Sequence, residues 1–155
     1  MCEDMRVNAM EGCIREFTAD TLDDCASLFV SVFNQAPWND SWTLESARKR
    51  LSEVFSTPNS MGFVFYEYKI SGFILGHCEQ GPDGKEFHLA EMCVRSDRQR
   101  QGIGSGLLAH LEEELNQMAI NSIYLITARD GQAEAFYARN GYRVNSRMIV
   151  MVHRF

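Results

Sequence analysis

The chain has 155 residues, 45% of them hydrophobic and 23% charged, and a formal net charge of −6. That length and apolar share support one compact α/β-sized domain with its own core and exclude a disordered chain. The acidic balance argues against nucleic acid, whose phosphates need a basic face, and no apolar run is long enough to cross a membrane.

The opening residues, MCEDMRVNAMEGC, lack the basic-then-apolar order of a signal peptide, so the cytoplasm is the expected compartment. Five cysteines (Cys2, Cys13, Cys25, Cys78, Cys93) are odd in number and widely spaced, which suits reduced thiols. Only His77-Cys78 approaches metal-ligand clustering, so no metal site is expected. Residues 1–12 read as a short N-terminal extension to a domain over 13–155.

CIREF (13–17) predicts a first strand. TADTLDDCASLFVSVFN then predicts a helix, capped by Thr18 or Asp20, with Leu22, Cys25, Leu28, Phe29, Val32 and Phe33 on one stripe. APWNDSW is a loop with two tryptophans. TLESARKRLSEVF predicts a second helix with a Thr-x-x-Ser start. MGFVFYEY, ISGFILGHCEQ and EFHLAEMCV predict three strands, the last two joined by the GPDGK turn. After Gly102, Ile103, Leu107, Leu108, Leu111, Leu115 and Met118 recur at helical spacing, with Glu112 to Glu114 toward water. NSIYLITA predicts a fifth strand and GQAEAFYARNG a short helix ended by Gly141. YRVNSRMIVMVHRF predicts two final strands. The expectation is therefore an α/β fold: a mixed seven-stranded sheet with about four helices. Met92, Met118, Met148 and Met151 are expected in the core, and His77, His110 and His153 in structural or exposed positions.

RQRQGIGSGLL (98–108) follows a strand and opens a helix, where the first helical N–H groups lack partners and the helix dipole favours an anion. Glycines let a bulky anion reach that backbone, and Arg98 and Arg100 add charge. A P-loop needs Gly-Lys-Ser/Thr, whereas Gly104 is followed by Ser105-Gly106. A dinucleotide fingerprint needs G-x-G-x-x-G with an acid at the next strand tip, and neither is present.

Gln99-x-x-Gly102-x-Gly104 resembles the Q/R-x-x-G-x-G/A signature of the GCN5-related N-acetyltransferases (GNAT). The lead-in Met92–Asp97 and the later AEAFYARNGYR (133–143) are similar to that family's segments, and the order of elements agrees over nearly the whole chain. The resemblance implies an acetyl-CoA-dependent N-acetyltransferase acting on a primary amine of a small, cationic acceptor by direct attack. It implies that Gln101, Gly102, Ile103, Gly104 and Ser105 hold the diphosphate, flanked by Arg98, Gln99 and Arg100. Met92, Cys93 and Val94 would then pair with the pantetheine arm, and Asp130 stands where many relatives carry an asparagine that bonds it, or caps the next helix. A splay between the fourth and fifth strands would form the cofactor cleft.

Tyr137 aligns with the family tyrosine that protonates the leaving thiolate. The base is left as Glu91, His88 or a water. Regular alternation puts Glu91 and His88 on opposite faces of their strand unless a bulge intervenes. Phe33, Trp38 and Trp42 would wall the acceptor pocket, with Asp40 and Glu45 attracting an ammonium. Similar proteins are commonly dimers, and Met148 to Val152 offers a shared edge for a homodimer. A coenzyme A-binding sensor or interaction module without turnover is the competing class.

Overall fold

The computed structural model describes residues 12–155. The expected N-terminal extension and Cys2 thus lie outside the described residues, save Gly12. The chain divides into two compact units, one closing at Leu125 and one spanning Ile126–Phe155.

The first unit runs β1 (Cys13–Glu16), α1 (Leu22–Phe33), α2 (Leu44–Phe55), β2 (Ser60–Tyr66), β3 (Ile70–Gly81), β4 (Gly84–Val94), α3 (Ile103–Gln117) and β5 (Ile123–Tyr124). The strands lie side by side in that order; the first three junctions are antiparallel and β4–β5 is parallel. This is a mixed α/β sheet of five strands.

Local chemistry sets the helix starts. Thr43 accepts the Ser46 N–H at 3.0 Å while Ser46 Oγ accepts the Thr43 N–H at 3.0 Å, a reciprocal cap worth about 1 kcal/mol. Before α1 the capping atom is the Thr21 hydroxyl, which accepts the Thr18 N–H in a short 3-10 turn. Neither Thr18 nor Asp20 caps α1 by a side chain.

Both faces of the sheet are covered. Val64, Phe73, Leu75 and Cys93 pack with Leu22, Cys25, Phe29, Ala47 and Leu51 of α1 and α2. On the other face, Ile103 and Leu107 of α3 close over Gly72, and Phe63 meets His110 at 4.5 Å. Leu107, Leu108, Leu111 and Leu115 are fully enclosed, and burying each contributes about 1.5–3 kcal/mol. Those four leucines anchor the helix whose N-terminus carries the glycine stretch. Met92 is half-buried, but Met118 is 52%, Met148 71% and Met151 84% exposed, so these last three are not core residues.

The described residues hold five strands, not seven. NSIYLITA pairs only at Ile123 and Tyr124, and no ladder forms over 142–155. Alternating apolar residues supply strand propensity, but a strand exists only where a neighbouring edge accepts its hydrogen bonds. In the second unit α4 (Gln132–Arg139) stops where expected, at Gly141, whose φ of 89° favours glycine.

One irregularity matters for the site. Leu75 pairs with Glu91 and Gly76 with Leu89, so Ala90 is an extra residue in β4. A Cβ on Gly76 would lie 2.1 Å from the His88 carbonyl oxygen, so only glycine permits this approach. Gly76→Ala is therefore expected to destabilise the protein by about 3 kcal/mol in chemical denaturation, the upper range for overpacking; unchanged stability would contradict the bulge.

Candidate active site

β4 ends at Val94, and a 3-10 turn over Ser96–Arg98 leads to the glycine stretch. Arg100 has φ 61° and Gly102 φ 85°, so the chain twice enters the left-handed region before α3 begins. For Arg100 this costs about 1–2 kcal/mol. Gly102 escapes the penalty, and nothing lies within 4 Å of where its Cβ would stand. The first helical bond runs from Gly106 N–H to Gly102 O at 2.9 Å, and no side chain caps the helix. The N–H groups of Ile103, Gly104 and Ser105 therefore point out of the helix start without intrahelical acceptors.

The flanking side chains divide into two kinds. Gln99 Nε2 donates to Val94 O at 3.0 Å and Gln101 Nε2 to Asp97 O at 3.3 Å, so both amides brace the turn. Arg98 Nη2 is held by Glu67 Oε1 at 2.5 Å. Arg100 is exposed and enters no ion pair among the described residues.

Along β4, Cys93 is buried, and burial pushes its thiol well above the usual range, followed by Cys25 and Glu91. Its side chain belongs to the core, which leaves only its main chain for binding. β5 ends after pairing with Phe87 and His88, and Leu89–Val94 run on past it.

The extra residue Ala90 overturns the expected alternation. His88 pairs with His77 and Glu91 with Leu75, and those two β3 residues share a face. His88 and Glu91 therefore lie on one side of the sheet, the side of α1 and α2. Glu91 accepts from Arg50 Nε of α2 at 2.8 Å. Burial raises its pKa, opposed by Arg50 through hydrogen bond and charge and assisted by Asp40. A half-enclosed carboxylate is thus kept protonatable near its guanidinium.

His88 sits in a cluster. Its ring stacks on Tyr124 at 4.7 Å and meets His77 edge-on at 5.3 Å. Tyr124 Oη donates to Glu79 Oε1, and His77 Nε2 lies 3.2 Å from Glu79 Oε2. Burial, then Glu79, pushes the Tyr124 phenol up to about 12. The Tyr124 phenol, then His77, holds the Glu79 carboxyl below its ordinary range, though burial opposes both. Burial, then His77, lowers the His88 pKa, with Arg50 adding and Glu79 opposing.

In the loop after α1, Phe33 meets Trp38 at 5.5 Å and Phe29 meets Trp42 at 5.0 Å. Asn34 clamps Trp42 through both its N–H (2.9 Å) and C=O (2.8 Å), while the indole Nε1 donates to Asp40 at 3.1 Å. Phe33 and Trp42 pack on the core, and Asp40 and Glu45 are exposed. The aromatics anchor the loop and leave its carboxylates in water.

In the second unit Tyr137 is half-buried on α4, its ring 5.2 Å from Phe136 and 5.5 Å from Tyr142. Asp130 has φ 58°, and its own N–H donates to Glu134 Oε2. Gly131, not Asp130, is the N-cap of α4.

The model of the acetyltransferase (GNAT) family matches residues 22–142, which span the glycine stretch, Glu91 and Tyr137. The chain belongs to the GNAT acetyltransferase family. Among curated proteins no sequence matches significantly. Solved structures with this GNAT fold include an aminoglycoside acetyltransferase from an uncultured soil metagenomic sample (17% identity over 94% of this chain and 97% of that one, TM-score 0.72). An integron cassette protein from the mobile metagenome of V. cholerae is similar at 15% identity over 95% and 94% (TM-score 0.77). A transcriptional regulator from Bacillus halodurans C-125 is similar at 19% over 92% and 99% (TM-score 0.72).

Sequence reasoning missed Arg50, Glu67, Glu79 and Tyr124. Nothing in single-sequence periodicity couples residues 41 apart, though Gly76 inside a strand is a signal for a bulge. His88 yields a test. Its folded pKa is depressed, so its contribution to stability is fully present above the free-histidine value of about 6.5 and is lost as pH falls from there through the lower folded value. NMR titration of the ring is expected to show His88 still neutral where a free imidazole is half protonated, and His88→Phe to flatten stability against pH below 6.5; a ring titrating at or above the free value would contradict its burial.

Proposed function

We propose that this GNAT chain is an acetyl-CoA-dependent N-acetyltransferase whose acceptor is a primary amine on a small cationic molecule. The observation that carries the reading is the uncapped start of α3 at the end of β4. Its donors fit a diphosphate: main-chain N–H groups from Gln101 to Ser105 beside exposed Arg100, with open space over Gly102. The main chain of Met92, Cys93 and Val94, running past the end of β5, suits the amides of a pantetheine arm. The family resemblance alone assigns Asp130 as an acceptor for that arm. Bound acetyl-CoA supplies a thioester carbonyl open to attack by nitrogen.

The chain's residues then manage protons. Glu91 takes the proton that the amine loses, its basicity set by burial against the Arg50 guanidinium. His88, kept neutral and on the same face, is the other proton acceptor there. The Tyr137 phenol donates to the leaving sulfur. Asp40 and Glu45 draw the cationic acceptor toward Glu91, while Phe33, Trp38 and Trp42 shape the loop that carries them. The soil aminoglycoside acetyltransferase was also crystallised in complex with sisomicin, an acceptor class that suits such carboxylates.

The test is coenzyme A thiol release from acetyl-CoA across polyamines, aminoglycosides, amino acids and peptide N-termini. Turnover is expected on a cationic small amine. Glu91→Gln should lower kcat by about a hundredfold or more and erase an acidic limb lying above the ordinary glutamate range. Tyr137→Phe should lower kcat while leaving coenzyme affinity intact. Coenzyme A binding with no thiol release on any amine would overturn the enzyme reading in favour of a binding module.

A further inference from the structure

Ser71 is the one polar residue among the fully enclosed core positions of the described residues, at 0% exposure. Buried hydroxyls persist where they are bonded, and this one is bonded to the turn beside it. Ser71 Oγ donates to Glu67 Oε2 at 2.5 Å, and Ser71 O accepts the Arg95 N–H at 2.7 Å. The other carboxylate oxygen of Glu67 accepts from Arg98 Nη2 at 2.5 Å. Glu67 opens the turn between β2 and β3, its N–H bonded to Lys69 O at 3.0 Å, and its side chain is only 11% exposed.

The hairpin turn therefore grips both ends of the segment Arg95–Arg98. At the first end it holds the Arg95 main chain through Ser71 and meets the Arg95 guanidinium at the Tyr68 hydroxyl, 3.4 Å away. At the second end it holds the Arg98 guanidinium through Glu67. Arg98 N–H bonds back to Arg95 O at 2.8 Å, closing the segment into one rigid turn four residues before Gly102. A mostly enclosed carboxylate bonded to two donors fixes geometry well, because each bond is little screened.

We propose that Glu67 is a positioning residue for the coenzyme cradle: acting through Arg98 and Ser71, it fixes the turn that aims the α3 main-chain donors at the diphosphate. Arg98 is then a strut, its charge matched by Glu67, and Arg100 is the arginine that meets the anion. This inference rests on the acetyl-CoA reading for its ligand but not for its geometry, and the experiment separates the two.

The experiment uses the full chain and the near-isosteric Glu67→Gln. Amide hydrogen exchange at Arg95 and Arg98, whose N–H groups are bonded to Ser71 O and Arg95 O, should quicken by about tenfold, with the β2, β3 and α3 core amides unchanged. Coenzyme A affinity by calorimetry should weaken by about tenfold, equivalent to about 1.4 kcal/mol. Affinity for pantetheine, which lacks the diphosphate, should stay at the wild-type value. Arg98→Met should reproduce the loss, and the double variant should be no worse than either single one, since both break the same tie. Tighter coenzyme binding in Glu67→Gln would mean that Arg98 is a masked phosphate ligand and would overturn the proposal. So would unchanged exchange at Arg95 and Arg98, or exchange that quickens uniformly through the chain. Should Glu67→Gln fail to fold, Arg98→Met carries the same comparison. Wild-type protein that binds no coenzyme A would sink the functional reading alone, while local loosening in the exchange experiment would still uphold the strut.

Discussion

A helix that begins without a cap leaves its first N–H groups aimed at whatever lies in front of them, and the site around α3 depends on that deficit. Four enclosed leucines hold the helix against the sheet, so its start cannot slide away to hide those groups. The left-handed Gly102 turns the chain onto the axis without placing a side chain over the donors. Two glutamines, which elsewhere would be free surface amides, brace the turn from behind. An anion is the natural complement to such an arrangement, since aligned peptide dipoles and unpaired donors act together there.

The placing of His88 and Glu91 on one face depends on one extra residue. Without Ala90 the pleat would send His88 and Glu91 to opposite sides of the sheet. With it, both face α1 and α2, where Arg50 holds the carboxylate. Gly76 makes room for this because no larger residue tolerates the His88 carbonyl so close. Glu91 is left between opposing forces, with desolvation favouring its neutral form and Arg50 its charged one. That balance lifts its pKa above the ordinary glutamate range, which suits a group asked to accept a proton.

The sequence made the helices legible because their apolar spacing and caps are local. α2 begins at its Thr-x-x-Ser start, and α3 follows Gly102 with its leucine stripe inward. The glycine motif was legible for the same reason: its positive φ values lie within three residues of one another. Strands fared less well at the end of the chain, since Met148 to Val152 form a continuous apolar run yet no ladder forms over 142–155. The relation of Glu91 to His88 was invisible because a bulge shifts parity without changing composition. The Glu67–Arg98 tie and the Arg50–Glu91 pair join residues 31 and 41 apart, and no local rule selects such partners.

The most direct measurement is a titration of 15N-labelled protein with coenzyme A, followed amide by amide. The account predicts that the main-chain N–H signals of Gly102 to Ser105 move farthest, downfield as they gain an anionic acceptor, and that Arg100 follows. Saturable binding that leaves those four amides in place, with the shifts centred elsewhere, would contradict it.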